Sequence, residues 1–112
     1  MSTVTVTITG HLADTPELRQ TNSGTSVTNF RLIANDRRFD EDTQQWVDTN
    51  TTGIRVTAWG PLAENLVGTI AKGNHVTVEG SRLSAAAYTH RETGEPRASL
   101  ELTADSVKVE LA

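Results

Sequence analysis

The 112 residues carry 14 acidic against 10 basic side chains, a formal net charge of −4, with 36% hydrophobic and 21% charged residues and no cysteine. That size defines one globular domain, residues 1–112, with its own core and no room for a second. The acidic balance argues against gripping duplex DNA by bulk positive potential, and the lack of cysteine excludes thiol redox chemistry and thiolate metal sites.

The opening MSTVTVTITG lacks the charged-then-apolar order of a signal peptide, and no apolar run approaches the roughly 18 residues that a membrane span needs. A soluble, cytoplasmic protein is expected. Val4, Val6 and Ile8 alternate with Thr3, Thr5, Thr7 and Thr9, which predicts a first strand to about Leu12, with a bend or bulge at Gly10. Asn22-Ser23-Gly24 reads as a turn. A second strand follows from Ser26 to about Arg37, with Phe30, Leu32 and Ala34 on one face and Arg31, Ile33 and Asn35 on the other. The segment FDEDTQQWVDTN is too polar for a core and reads as a loop, which Phe39 and Trp46 could pin as a hairpin extension.

From Thr51 to Lys72 the hydrophobic period changes once. Ile54, Val56 and Ala58 alternate with Arg55, Thr57 and Trp59, so a third strand runs to Gly60 with a cation, a hydroxyl and an indole on its polar face. Beyond it Pro61 suits a first helical turn, and Leu62, Leu66, Val67 and Ile70 fall on one stripe of a helix that ends at Lys72-Gly73-Asn74. Val76 and Val78 point inward on a fourth strand, Gly80 bends it, and SRLSAAAYTH continues it as an arm to the turn at Glu92–Pro96, from which Arg97 begins the return strand. In that last strand Leu100, Leu102 and Ala104 keep one parity while Val107, Val109 and Leu111 keep the other, which requires a β-bulge near Asp105-Ser106.

Three strands, one helix and two long strands is the layout of an all-β, five-stranded OB-fold barrel, with the helix between strands 3 and 4 and a long hairpin arm after strand 4. Such barrels bind single strands or sugars on one sheet face, where aromatic rings stack bases and cations follow phosphates. Trp59, Tyr88 and Phe39 with Arg37, Arg38 and Arg55 are groups of that kind on strand faces or exits. A basic stripe is compatible with the acidic total because Asp40, Glu41 and Asp42 cluster in one loop.

The segments ITGHLADTPELRQTNSGTSVTNFRL, IRVTAWGPLAENL and IAKGNHVTVEGSRL resemble the signature segments of bacterial single-stranded-DNA-binding proteins, and the likeness runs from about Thr5 to Val109. The resemblance implies a homotetramer that binds single-stranded DNA without sequence preference in replication, recombination and repair, associated with the nucleoid. It places Trp59 and Tyr88 at the family's stacking positions and Arg55 and Lys72 at its basic positions. Arg38 and Phe39 both fall where the family has an aromatic at the exit of the second strand, with Phe39 favoured, and Arg37 beside them is expected to add a phosphate contact.

The departures are as informative. Gly53 stands where relatives carry an aromatic, and Pro61 and Ala87 stand where relatives can carry lysine. The chain ends at KVELA without the Gly/Pro/Gln-rich tail and acidic tip of typical members, so recruitment of partners through such a tip is not expected. These departures keep open an alternative, an OB-fold protein-interaction subunit of a replication or primosome assembly with weak or no DNA binding.

The plainer readings are that Trp59 is buried at a subunit contact, that Phe39 and Trp46 merely stiffen their loop, and that Arg37 and Arg38 are solvated charges facing Asp36, Asp40 and Glu41. His11, His75 and His90 lie on separate elements without ligand spacing, so neither metal nor cofactor is expected. Neither a phosphate loop nor a nucleophile elbow is present, so the chain is not expected to be an enzyme.

Overall fold

Alternating sequence occupies most of the chain, and the computed structural model, which describes residues 3–110, folds it into a closed barrel from which two hairpin arms extend. The elements are β1 (Thr5–Leu12), β2 (Arg19–Gln20), β3 (Ser26–Asp40), β4 (Gln45–Trp59), α1 (Pro61–Leu66), β5 (His75–Thr89) and β6 (Pro96–Val109). They hydrogen-bond in the order β1-β5-β6-β4-β3-β2, and a second pairing of β1 with β3 closes the ring. Five long strands with a helix between the third and fourth form the expected OB-fold. The two-residue β2 is an addition on the free edge of β3.

Closure depends on β1 changing partners. It pairs with β5 from Thr5 to His11 and with β3 at His11 and Leu12. At the crossing Gly10 lies against β3, where a Cβ would run into the Ile33 carbonyl. That close approach is why a glycine interrupts the Thr/Val alternation.

The inward parity fills the barrel with Phe30, Leu32, Val56, Val76, Val78 and Leu102, each no more than 1% exposed. Each such side chain contributes about 1.5–3 kcal/mol by leaving water. Val6 and Ile8 pack on this core only in part, and Val4 is exposed.

Two expectations need correction. The helix has six residues and stops at Leu66, because Val67 turns to extended backbone (φ −66°, ψ 124°) and Gly68 takes φ 87°. β-Branched valine and glycine both propagate a helix poorly, yet Ile70 still reaches the core, at 2% exposed, through a turn whose amide donates to the Leu66 carbonyl at 3.1 Å. The apolar stripe therefore survives without the helix that seemed to require it. The polar segment from Phe39 to Asn50 is mostly strand. β3 and β4 stay paired out to Asp40↔Gln45, across one register shift after Asp36, leaving only residues 41–44 as the turn. Polar composition signals a loop when a strand must bury one face, and this arm is solvated on both.

The bulge expected near Asp105-Ser106 is present, since Glu79 pairs with Ser106 while Gly80 pairs with Ala104, leaving Asp105 extra. Leu111, cited in the same parity argument, lies outside the described residues. Similar shifts leave Thr49 extra in β4 and set Arg82 and Leu83 opposite Leu102, with Arg82 at φ 58°.

Gly10→Ala should cost about 1–3 kcal/mol through the forced shift of β3 backbone. Urea unfolding monitored by circular dichroism checks this, and an unchanged midpoint would show that β1 closes the barrel without needing the bare Cα.

Candidate nucleic-acid interface

Because Ile54, Val56 and Ala58 are 3%, 0% and 0% exposed, the alternate residues Gly53, Arg55, Thr57 and Trp59 must face outward. Antiparallel register places Ile33, Arg31, Asn29 and Val27 beside them on β3, and parallel register places Glu101 and Thr103 of β6 beside Arg55 and Thr57. β6 in turn pairs with the β5 arm, where Tyr88 stands opposite Arg97. The result is a solvent-open groove of about 290 Å³ lined by Asn29, Arg31, Gly53, Arg55 and Tyr88, together with Asp14, Ser99 and Glu101.

Three arginines converge here. With its amide turned so that the oxygen faces the donors, Asn29 accepts from Arg19 Nη2 at 2.6 Å and from Arg55 Nη2 at 3.0 Å, so in that orientation one neutral side chain holds two guanidiniums together. Arg31 is the direct cross-strand partner of Arg55, a like-charge placement that costs stability in an isolated sheet. Asp14 Oδ1 accepts the backbone N–H of Arg31 at 3.0 Å, and Glu101 sits beside Arg55. Among the described residues, however, ion pairs within 4 Å are limited to Arg37–Asp48 and Arg97–Glu95. The groove cations thus keep N–H groups free for an anion.

Of the residues singled out in the sequence, Arg55 and Tyr88 meet in this groove. Trp59 lies on the same face of β4, four residues or about 13 Å along the strand. It is 48% exposed, as is Tyr88, so within this chain neither ring is spent on the core. Phe39 and Arg37 share the parity of Arg31 but stand out on the β3–β4 arm, about 20–26 Å from it. Phe39 packs edge-on against Trp46, with centroids 5.6 Å apart, and both remain exposed. Arg37 Nε donates to Asp48 Oδ1 at 2.9 Å, an exposed pair of a kind worth about 0–1 kcal/mol. Arg38 pairs with Val47 on the opposite parity, so of the two candidates at the strand exit it is Phe39 that shares the groove's face. Lys72 is exposed in the loop after α1, where its backbone N–H donates to Thr15 Oγ1 at 3.0 Å. Thr15 lines a second hollow with Asp14, Glu17, Arg19 and Asn29, contiguous with the groove through Asp14 and Asn29.

The site residues missing from the sequence reading are Arg19, Asn29 and Arg31. Asn29 and Arg31 alternate on one strand face, and a β3–β4 register would have set Arg31 against Arg55, but Arg19 reaches them only through the short β2 pairing. His11 and His75 lie on separate strands, β1 and β5, but as register partners, with ring centroids 5.8 Å apart. Among the described residues no group of three metal-ligating side chains forms.

An OB-fold whose outer sheet face gathers guanidiniums between exposed aromatic rings is the class of protein these features define. The model of the single-strand binding protein family matches residues 3–110, and the chain belongs to that family. It is 38% identical over 103 residues to the single-stranded DNA-binding protein of Paenarthrobacter nicotinovorans, covering 92% of this chain and 59% of that one. With the namesake from Corynebacterium glutamicum it shares 40% over 102 residues, covering 91% and 44%. The chain thus spans roughly half the length of these curated relatives. A small single-stranded DNA-binding protein from Streptomyces coelicolor, known from its crystal structure, superposes with a TM-score of 0.81 at 29% identity, covering 99% of this chain and 97% of that one.

Proposed function

We propose that this protein binds single-stranded DNA without sequence preference, with bases stacked on Tyr88 and Trp59 and phosphates held by Arg55 and its neighbours. The observation that carries the reading is the meeting of Tyr88 with guanidiniums free of ion pairs in one open groove, on the strand face that also exposes Trp59. An aromatic face accepts any base, and a guanidinium accepts any phosphate, so neither contact reads sequence. Phe39, Arg37 and Arg38 would extend the track along the β3–β4 arm, and Lys72 would flank it. The work served is replication, recombination and repair at the nucleoid. The protein-interaction alternative is not favoured, because the matched relatives are named single-stranded DNA-binding proteins and this face retains its arginines and rings.

Self-association belongs to the same proposal. Between Thr5 and Gly10, β1 pairs with β5 on one side only, leaving a row of backbone donors and acceptors along its other edge. An exposed edge of that length is a template for pairing with a second copy. The expected assembly is a homotetramer built from dimers.

Trp59→Ala and Tyr88→Ala should each weaken binding of a thymidine oligomer by about 1–3 kcal/mol, or roughly 5- to 150-fold, with the unfolding midpoint unchanged. Affinities by fluorescence anisotropy check this, and wild-type affinity in both variants would remove the rings from the site. Light scattering at micromolar concentration should return four times the chain mass. A monomer there would contradict the assembly.

A further inference from the structure

We propose that Arg31, seated on the bare Cα of Gly53, is a phosphate-contacting residue of the groove, and that the missing side chain at position 53 is what makes its seat. This rests on the single-strand reading above. A Cβ on Gly53 would lie 2.6 Å from Arg31 Nη2, 3.1 Å from Cζ and 3.4 Å from Nε, so the guanidinium occupies the space that any side chain there would fill. Gly53 itself is in ordinary strand conformation, paired with Ile33, and is absent from the positions of positive φ. Backbone freedom therefore does not explain the glycine. The space taken by Arg31 does.

The charge arrangement supports a ligand rather than a stabilising role. Arg31 faces Arg55 across the ladder, and a like-charge pair is retained in a sheet only at a cost. Three carboxylates are near. Asp14 is engaged with the Arg31 backbone amide, Glu101 lies beside Arg55, and Glu17 lines the hollow next to Arg19. None of them forms an ion pair with Arg31, and its guanidinium has no hydrogen-bond partner among the described residues. Arg55 is oriented by Asn29, whereas Arg31 is oriented by shape alone and keeps its planar fork of donors for a phosphodiester. With Tyr88 lining the same groove, a strand that lays a base on that ring carries its backbone past both arginines.

The test is the salt dependence of binding to a fluorescein-labelled thymidine oligomer, using the full chain and the variants Arg31→Ala, Arg31→Lys, Gly53→Val and the double variant Arg31→Ala/Gly53→Val. Each lost phosphate contact flattens the slope of log affinity against log salt by about 0.7 for single strands. Arg31→Ala should show that flattening, Arg31→Lys should restore the wild-type slope, and Gly53→Val should flatten it by displacing the guanidinium. The double variant should be no flatter than either single one. The clash at position 53 is with the far end of a flexible side chain, so Gly53→Val should fold, and urea midpoints verify it; Gly53→Ala is the substitute if it does not. A wild-type slope in Arg31→Ala overturns the contact, and additive losses in the double variant overturn the seat. If the wild-type chain binds no oligomer at all, the single-strand reading itself fails, which is distinguishable from either result.

Discussion

The parity of β4 is the constraint on which the site depends. Ile54, Val56 and Ala58 are locked inward by burial, and a one-residue slip would bring Arg55 and Trp59 into a core that has no partner for a charge. β4 is also the strand paired antiparallel with β3 on one side and parallel with β6 on the other. Fixing its parity thus fixes which residues of three strands share the outer face. Asn29 and Arg31, Arg55 and Trp59, and Ser99 and Glu101 all follow from that alternation, and Tyr88 joins them through the β5–β6 register.

The sequence made this visible where a physical demand left a local trace. Alternation along residues 54–59 separates core from face without further information, and the change of parity between Ala104 and Val107 demands an extra residue that the structure places at Asp105. The Phe39–Trp46 contact follows from two rings near the ends of one polar segment. Local traces failed where the deciding interaction was remote or where one pattern served two structures. An apolar stripe at Leu66 and Ile70 suits a helix, yet a turn around Gly68 delivers Ile70 to the core equally well. Residues 45–50 look like loop because the β3–β4 arm has no core to face, so no apolar alternation records the ladder. The arginine cluster was legible least. Arg19, Asn29 and Arg31 read individually as solvated polar residues, and only the β2–β3–β4 pairing, with Asn29 bridging two of its neighbours, makes them one group.

The groove and the adjoining hollow set Arg19, Arg31 and Arg55 against Asp14, Glu17 and Glu101, a formal balance, yet no ion pair joins them, so the guanidiniums stay available within an acidic chain. The net charge of −4 sums over residues such as Asp40, Glu41 and Asp42, which lie at the β3–β4 turn, whereas the nearest competing acids in the groove leave its guanidiniums unpaired. Availability of donors at the groove, not total charge, decides what can bind there, since screening limits the reach of remote charges to about 8 Å at physiological ionic strength. On the proposed reading, a flexible single strand would bring phosphates within that distance of the groove while its bases meet the rings. A stiff duplex with its bases stacked inside has no such use for Trp59 or Tyr88.

The most direct test of this account uses the indole as its own reporter. Trp46→Phe preserves the aromatic pair at the arm tip and leaves Trp59 as the sole tryptophan. Titrating that variant with a thymidine oligomer at low salt, while anisotropy of the labelled oligomer measures binding independently, should quench Trp59 emission in step with saturation. Binding by anisotropy with undiminished Trp59 emission would place the strand on another face and contradict the groove.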